Sequence, residues 1–205
     1  MFTLHGPAGS LEALIGSPDR DPRAAVVFAH PHPEYGGTMH TKVVFRAAKA
    51  LARIGCEVLR FNFRGVGASA GTFDGGQGER DDFRAALDAM DARRSGVPLW
   101  AAGMSFGAWI GMEVGAEDPR VRGLIGVAAP VDHYDFAAVR GSVKPKFFIH
   151  GEADELCSVH AVWKFYGELL EPKELAVIDA AIHLFDGRVM EVADAIEDLL
   201  GDYAM

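Results

Sequence analysis

Short apolar runs alternate along this chain with longer segments in which apolar positions recur every three or four residues. The first clear run covers residues 25–30 and predicts a β-strand that is covered on both faces. Residues 41–54 follow with apolar side chains at helical spacing, and Gly55 provides a natural helix end. A buried strand followed by an amphipathic helix is the unit from which parallel sheets are built.

The same alternation continues to the end of the chain. It predicts strands at residues 57–62, 99–104, 121–129, 146–150 and 174–178, and helices at 79–94, 106–117, 158–170 and 185–200. Residues 11–15 fit an edge strand with which residues 1–4 could pair. Because no linker or repeat interrupts the pattern, we expect residues 1–205 to form one α/β domain, with a mainly parallel sheet and helices on both faces.

Composition narrows the classes of function. The chain has 29 acidic and 20 basic residues, and the formal charge of −9 argues against nucleic acid or an anionic membrane as a partner. Two cysteines are too few for a disulfide scaffold, and the amino terminus lacks the pattern of a signal peptide. No apolar stretch is long enough to span a bilayer, so a cytoplasmic location is expected.

Residues 103–107 read Gly-Met-Ser-Phe-Gly and lie between a predicted strand and a predicted helix. A Gly-x-Ser-x-Gly pattern in this context is typical of a nucleophile elbow, in which a strained turn lifts the serine hydroxyl above the sheet edge. The glycines are needed because Cβ atoms beside the serine would collide with neighbouring backbone. The pattern therefore makes Ser105 the candidate nucleophile.

A second copy of the pattern, Gly-Ala-Ser-Ala-Gly, occupies residues 67–71. The pattern is weak by itself in a chain with 24 glycines, and this copy lies several residues past its strand, in a loop that precedes any helix. We therefore interpret Ser69 as a loop residue. Residues 65–70 also match a dinucleotide-binding fingerprint, but the helix and the acidic residue that should accompany it are missing from their places.

A serine nucleophile needs a base, and the base needs an acid that orients it. In hydrolases that carry this elbow, the acid and then the histidine follow the serine along the chain. Asp154 follows the strand at 146–150, and His183 follows the last strand. Competitors for the acid are Glu152 and Glu155 nearby and, at greater distance, Asp132 and Asp179. His183 is the last histidine of the chain and is expected in the loop before the final helix, so Ser105, Asp154 and His183 form the candidate triad.

The oxyanion of an acyl-transfer intermediate has to be held by backbone N–H groups. One donor is expected at Phe106, the residue after the nucleophile. The second should come from the loop after the strand at 25–30, where two prolines lack an N–H and leave residue 32 or residues 34–37, with His32 preferred. His30 is interpreted as a loop anchor. The spacing of the two histidines also fits a metal site, but no further ligand motif lies nearby, so no metal is expected.

Taken together, these motifs resemble those of the small, lidless α/β-hydrolases related to dienelactone hydrolases. The matching segments span nearly the whole chain, in order, and are residues 30–37, 60–67, 103–107, 150–154 and 183. The resemblance implies the α/β-hydrolase fold, a Ser105–His183–Asp154 triad and no cofactor. Dienelactone hydrolase itself uses a cysteine nucleophile, whereas this chain has Ser105, so lactone specificity is not carried over.

The segment at 130–145 is too short for the cap domain that larger hydrolases of this fold insert there, so no cap domain is expected. Aromatic side chains are then candidates to line an open pocket, with Tyr35, His133 and Tyr134 preferred over Phe73, Trp109 and Trp163. An open pocket favours short acyl groups. The expected activity is carboxylesterase-like cleavage of a small-molecule ester through an acyl-enzyme, by a monomer or small homo-oligomer. A thioesterase, a peptidase or an acyltransferase would use the same triad, and a catalytically silent binding protein could share the fold.

Overall fold

A computed structural model describes residues 2–205 of the chain, which form eight strands, six α-helices and one 3-10 helix at Pro33–Tyr35. The strands are β1 (Phe2–Gly6), β2 (Gly9–Gly16), β3 (Ala24–Ala29), β4 (Cys56–Phe61), β5 (Leu99–Met104), β6 (Val121–Val127), β7 (Lys146–Gly151) and β8 (Lys173–Ile178). The helices are α1 (Lys42–Arg53), α2 (Gln77–Arg93), α3 (Phe106–Glu117), α4 (Ala137–Gly141), α5 (Val159–Glu168) and α6 (Val189–Leu200). The predicted strands and long helices are all present.

The eight strands belong to one sheet in the order β1-β2-β4-β3-β5-β6-β7-β8. β1 and β2 form an antiparallel hairpin, and β2 also runs antiparallel to β4. All other neighbours, from β4 to β8, are parallel. The predicted α/β fold with a mainly parallel sheet is therefore confirmed, and the expected edge strands form its antiparallel margin.

Two hydrophobic cores lie on opposite faces of this sheet. Along β3, Ala25 and Val27 enter one core while Val26 and Phe28 enter the other. Helices α2 to α5 cover the first core, and α1 and α6 cover the second. Both faces of β3 are thus removed from water, and each buried Val or Phe side chain contributes about 1.5–3 kcal/mol. None of the helices within residues 2–205 has the length and apolar character needed to cross a membrane.

The last helix begins later than predicted, at Val189 instead of residue 185. Phe185 has a φ of 54° and Gly187 a φ of 79°, so the backbone at both positions lies outside the right-handed helical region. Apolar spacing continues through these residues in the sequence, but the left-handed backbone postpones the helix. The result is a longer loop after β8, and His183 lies in it.

The connection between β6 and β7 contains only the short helix α4. No cap domain is inserted there, as the length of the segment predicts. The loops after the parallel strands therefore form the upper surface of the sheet, where ligands bind in folds of this kind.

Candidate functional site

Ser105 lies between the last residue of β5 and the first residue of α3. Its backbone has a φ of 54° and a ψ of −123°, a conformation that residues with a side chain rarely adopt. The turn is held by the Ser105 N–H, which donates to the Val127 carbonyl at 2.9 Å, and by the Ser105 carbonyl, which accepts from the Ala108 N–H at 2.8 Å. A strained conformation at the end of a central strand is the geometry that a nucleophile elbow requires.

The two glycines of the elbow are required by close approach of the backbone. A Cβ atom at Gly103 would lie 2.1 Å from the Gly107 carbonyl oxygen. A Cβ atom at Gly107 would lie 2.4 Å from the carbonyl oxygen of His30. The second contact brings the loop after β3 against the start of α3, so any side chain at Gly107 would push the two apart.

A continuous hydrogen-bonded chain connects Ser105, His183 and Asp154. The Ser105 Oγ lies 2.8 Å from His183 Nε2, and His183 Nδ1 lies 2.8 Å from Asp154 Oδ2. With the imidazole proton on Nδ1 and donated to the carboxylate, Nε2 is free to accept from the serine hydroxyl. Loops after β5, β7 and β8 supply the three residues, and the structure brings together all three that the sequence singled out.

Asp154 is held on its other side by its own loop. Its Oδ1 accepts hydrogen bonds from the N–H groups of Leu156 and Cys157, both at 2.9 Å. Burial opposes the negative charge, but hydrogen bonds from His183 and from these two amides outweigh it and keep the pKa of Asp154 below its usual value. The carboxylate is therefore charged and oriented toward the imidazole. Glu152 and Glu155, the local competitors, accept instead from the backbone N–H groups of Ala180 and His183.

His150 is a buried residue of this region to which sequence reasoning gave no role. Its Nε2 donates to the Cys157 carbonyl at 2.8 Å and lies 3.6 Å from Asp154 Oδ2. Burial lowers the pKa of His150, so the ring is neutral. The contact ties the end of β7 to the loop that presents Asp154. The sequence places His150 at the end of a predicted strand, but only the fold shows what its ring contacts.

His30 anchors the loop after β3, as predicted. Its Nε2 accepts from the Phe63 N–H at 3.1 Å, and its Nδ1 lies 2.6 Å from the Pro31 carbonyl oxygen. Burial lowers the pKa of His30 to about 4, so the ring is neutral at ordinary pH. Because both ring nitrogens are engaged, His30 has none left for a metal. Across residues 2–205 no group of three His, Cys, Asp or Glu side chains is arranged to hold a metal ion.

The backbone N–H groups of the same loop are mostly occupied. The N–H group of Glu34 donates to the His32 ring. Those of Tyr35 and Gly37 donate to the His32 carbonyl, and that of Gly36 donates to the Pro33 carbonyl. Pro31 and Pro33 have no N–H. Of the donors that the sequence left open, the His32 amide is therefore the one that these bonds leave available. Phe106 is the first residue of α3, so its N–H has no acceptor within the helix.

Aromatic rings surround the start of α3. The His32 ring lies 4.9 Å from the Phe106 ring and 4.7 Å from that of Tyr35, which is 86% exposed. Tyr134 also contacts Phe106 and stacks on Trp109 at 4.2 Å. Two of the predicted pocket residues, Tyr35 and Tyr134, thus lie in one aromatic cluster beside the elbow.

The remaining aromatic candidates differ in whether they join this cluster. The ring of Phe73 packs against that of His32 at 4.8 Å and so joins the cluster. His133, the third predicted pocket residue, instead places its Nδ1 2.7 Å from Asp132 Oδ1. Trp163 lies on α5 against His160. Ring size and loop position do not show which of these side chains turns toward the elbow, because that depends on the packing of α3.

Comparisons with known proteins show the family of the chain. A family model described as serine aminopeptidase, S33, matches residues 20–144. The chain is 34% identical to an uncharacterized protein of Rickettsia prowazekii over 206 residues, which cover 96% of this chain and 87% of that protein.

Two solved structures are also similar. An alpha-beta serine hydrolase homologue from Coxiella burnetii is 39% identical, with a TM-score of 0.92 over 97% of this chain and 96% of that one. An α/β serine hydrolase without a lid from Xanthomonas campestris is 36% identical, with a TM-score of 0.90 over 96% of this chain and 91% of that one. The resemblance to small lidless serine hydrolases is thereby confirmed. The chain belongs to the α/β-hydrolase family whose model is described as serine aminopeptidase, S33.

Proposed function

We propose that this serine hydrolase cleaves small carboxylic esters through an acyl-enzyme on Ser105. The observation that carries the proposal is the hydrogen-bonded chain from Ser105 Oγ through His183 to the Asp154 carboxylate, with both links at 2.8 Å. A serine hydroxyl is a weak nucleophile unless an adjacent base removes its proton as it attacks. In this chain His183 is the base, and Asp154 orients it and stabilises its charged form.

In the first half of the reaction, the Ser105 oxygen attacks the ester carbonyl while its proton moves to His183 Nε2. The carbonyl oxygen becomes an oxyanion, which accepts hydrogen bonds from the N–H groups of Phe106 and His32. Removing one such donor costs other hydrolases about 2.7–4 kcal/mol of transition-state stabilisation. The tetrahedral intermediate then collapses, and His183 gives the proton to the departing alcohol.

In the second half, water attacks the acyl group on Ser105 and passes a proton to His183. The same two N–H groups hold the second oxyanion, and the proton returns to the Ser105 oxygen as the acid leaves. The cycle as written uses only the chain, the ester and water. Because no cap covers the loops after the strands, we expect acetate and butyrate esters to react faster than esters of long-chain acids.

The test is hydrolysis of p-nitrophenyl butyrate by the wild type and by Ser105→Ala. We expect kcat/KM to fall by at least about a thousandfold, because the nucleophile is lost while oxyanion binding remains. A fluorophosphonate probe should label the wild type and not the variant. Full activity of Ser105→Ala would disprove the assignment. Cleavage of alanine p-nitroanilide without cleavage of the ester would point to a peptidase instead.

A further inference from the structure

A groove with a volume of about 440 Å³ lies between the first turns of α1 and α6. It is lined by His40, Lys42, Phe45, Arg46, Val189 and Met190, and we refer to it as the α1–α6 groove. Neither the mechanism above nor the packing of the two cores accounts for its combination of cationic and exposed apolar side chains.

The α1–α6 groove opens at the same edge of the sheet as the candidate site. Helix α1 begins where the loop after β3 ends, and α6 begins where the loop after β8 ends. These two loops carry His32 and His183. Since the carboxyl ends of parallel strands meet at one edge of a sheet, the groove is placed beside the loops that present the oxyanion donor and the base.

Cationic side chains gather along this part of α1. Lys42, Arg46 and Lys49 recur at helical spacing on its exposed face, and Arg60 approaches from β4. Charged groups of Arg46, Lys49 and Arg60 lie 5.8, 5.0 and 5.4 Å from the centre of the Phe45 ring. In the part of the chain that the structure describes, none of these four cations forms an ion pair with a carboxylate, and Arg60 donates instead to the Met39 carbonyl at 2.8 Å. This is unusual in a chain with a formal charge of −9.

The acidic groups near the α1–α6 groove do not neutralise it. Glu12 acts electrostatically on His40, but its Oε2 accepts from Asn62 Nδ2 at 2.9 Å and from the Ala68 N–H at 2.7 Å. Asp186, just before the α6 side of the groove, is exposed, and Glu191, just after Met190, pairs with Arg188 and not with any of the four cations. Clustered like charges repel one another, so a bound anion would relieve the repulsion.

Apolar surface accompanies these charges. Phe45 is 36% exposed and Met190 is 48% exposed, and both line the α1–α6 groove. A ligand that fits both features has a short apolar chain against Phe45 and Met190 and an anionic group among the cations. An inorganic anion would leave the apolar part uncovered, and a neutral chain would leave the cations unpaired.

We propose that the α1–α6 groove holds the anionic part of the ester or thioester that Ser105 cleaves. This proposal rests on the proposed function, because it assigns a substrate class to the same site. The anionic group can belong to the acyl side or to the alcohol side of the substrate, and both place a negative charge in the groove.

Two pairs of esters distinguish these sources. For the acyl side, mono-p-nitrophenyl glutarate is compared with p-nitrophenyl butyrate. For the alcohol side, 4-acetoxybenzoate is compared with its methyl ester. The test variant is Lys42→Gln combined with Arg46→Gln. The control combines Arg122→Gln with Lys164→Gln, which removes two exposed cations outside the groove and changes the net charge equally.

In the test variant, the ratio of kcat/KM for the anionic ester to that for the neutral ester should fall about five- to tenfold in at least one pair. This is the size expected for two partly exposed charge contacts. The pair that responds identifies the side that carries the charge. A change below twofold in both pairs, or an equal change in the control, would overturn the proposal while leaving the esterase activity intact.

A binding measurement separates this proposal from the esterase assignment. Monomethyl glutarate is titrated into Ser105→Ala and followed by amide chemical shifts. Shifts at residues 40–46 and 187–190, lost when Lys42 and Arg46 are also replaced, would support the groove even if neither ester were cleaved. Absence of these shifts would overturn it.

Discussion

The chain contains the Gly-x-Ser-x-Gly pattern twice, and the two copies have different structures. Ser105 is the link between β5 and α3, and its Oγ meets the imidazole of His183 at 2.8 Å. Ser69 lies in the loop between β4 and α2, where its N–H donates to the Val66 carbonyl at 3.0 Å. One serine presents its hydroxyl to a base, and the other closes a turn.

The glycines differ for the same reason. At Gly103 and Gly107 a Cβ atom would meet backbone within 2.4 Å, so the elbow needs glycine for close packing of a strand, a helix and a loop. At Gly67 and Gly71 the φ values are 60° and 83°, so the loop needs glycine for left-handed turns. An identical pattern can thus occur in two different backbone geometries.

The hydroxyl of Ser69 is used entirely for structure. It is buried, donates to the Asn62 carbonyl at 2.8 Å and accepts from the Glu12 N–H at 3.0 Å. It therefore fastens the loop to β2. The comparison teaches that the reactivity of a serine depends on what its oxygen contacts, and this yields experiments that separate the two copies.

The largest effect is expected from Asp154→Asn, which changes the His183 imidazole that Ser105 contacts and Ser69 does not. The Asn amide would donate toward His183 Nδ1 and move the ring proton to Nε2, which then cannot accept the serine proton. We expect kcat/KM for p-nitrophenyl butyrate to fall on the order of 10³–10⁴-fold. Glu152→Gln in the same loop is the control and should retain most of the activity. A loss below tenfold in Asp154→Asn would count against the role of the carboxylate.

A smaller effect, on stability and not on activity, is expected from Ser69→Ala. The change leaves the Asn62 carbonyl and the Glu12 N–H without their partner, which should lower the free energy of unfolding by about 1–3 kcal/mol. Urea denaturation measures this loss, and kcat/KM should stay within about threefold of the wild type. Ser95→Ala, at an exposed position, is the control and should change the stability by less than about 0.5 kcal/mol. If Ser69→Ala were inactive but fully stable, the two serines would have been assigned the wrong way round.

The smallest effect is expected on how the stability of the folded protein depends on pH, through Glu12, which binds the loop that contains Ser69. Hydrogen bonds from the Ala68 N–H and then from Asn62 lower the pKa of Glu12 below its usual value of 4.5. A carboxylate with a lowered pKa in the folded state adds stability above that usual value and loses it as the pH falls through the folded value.

The measurement compares the wild type with Glu12→Gln by urea denaturation from pH 7 to pH 3. The wild type should be the more stable at pH 7, and the difference should shrink below about pH 4.5. A difference that stays constant across this range would show that the charge of Glu12 does not hold the loop.

Much of the fold could be predicted from local patterns. The run that became β3 is buried on both faces, so nearly every one of its positions had to be apolar, and this leaves a clear signal. The start of α6 could not be predicted in the same way. Apolar spacing at Phe185 fits a helix, but its φ of 54° depends on how the loop after β8 packs.

The residues of the candidate site also differ in how far the sequence could predict them. Ser105, Asp154 and His183 could be selected because each follows a strand and because their order along the chain is constrained by the fold. His32 was preferred among several donors, and only the hydrogen bonds of residues 34–37 reduced the choice to it. His150 had no sequence signal beyond its place near the end of β7.

The sequence by itself determined the alternation of strands and helices and the edge of the sheet at which the candidate catalytic residues lie. These follow from periodicity and chain order, which are local properties. Only the tertiary structure decided which serine meets an imidazole and which N–H group of the loop after β3 is left without an acceptor in that loop. It also decided that cations of α1 and β4 gather around Phe45, beside Met190 of α6. Each of these depends on distances between segments far apart in the chain, and such distances exist only once the two cores have packed the helices against the sheet.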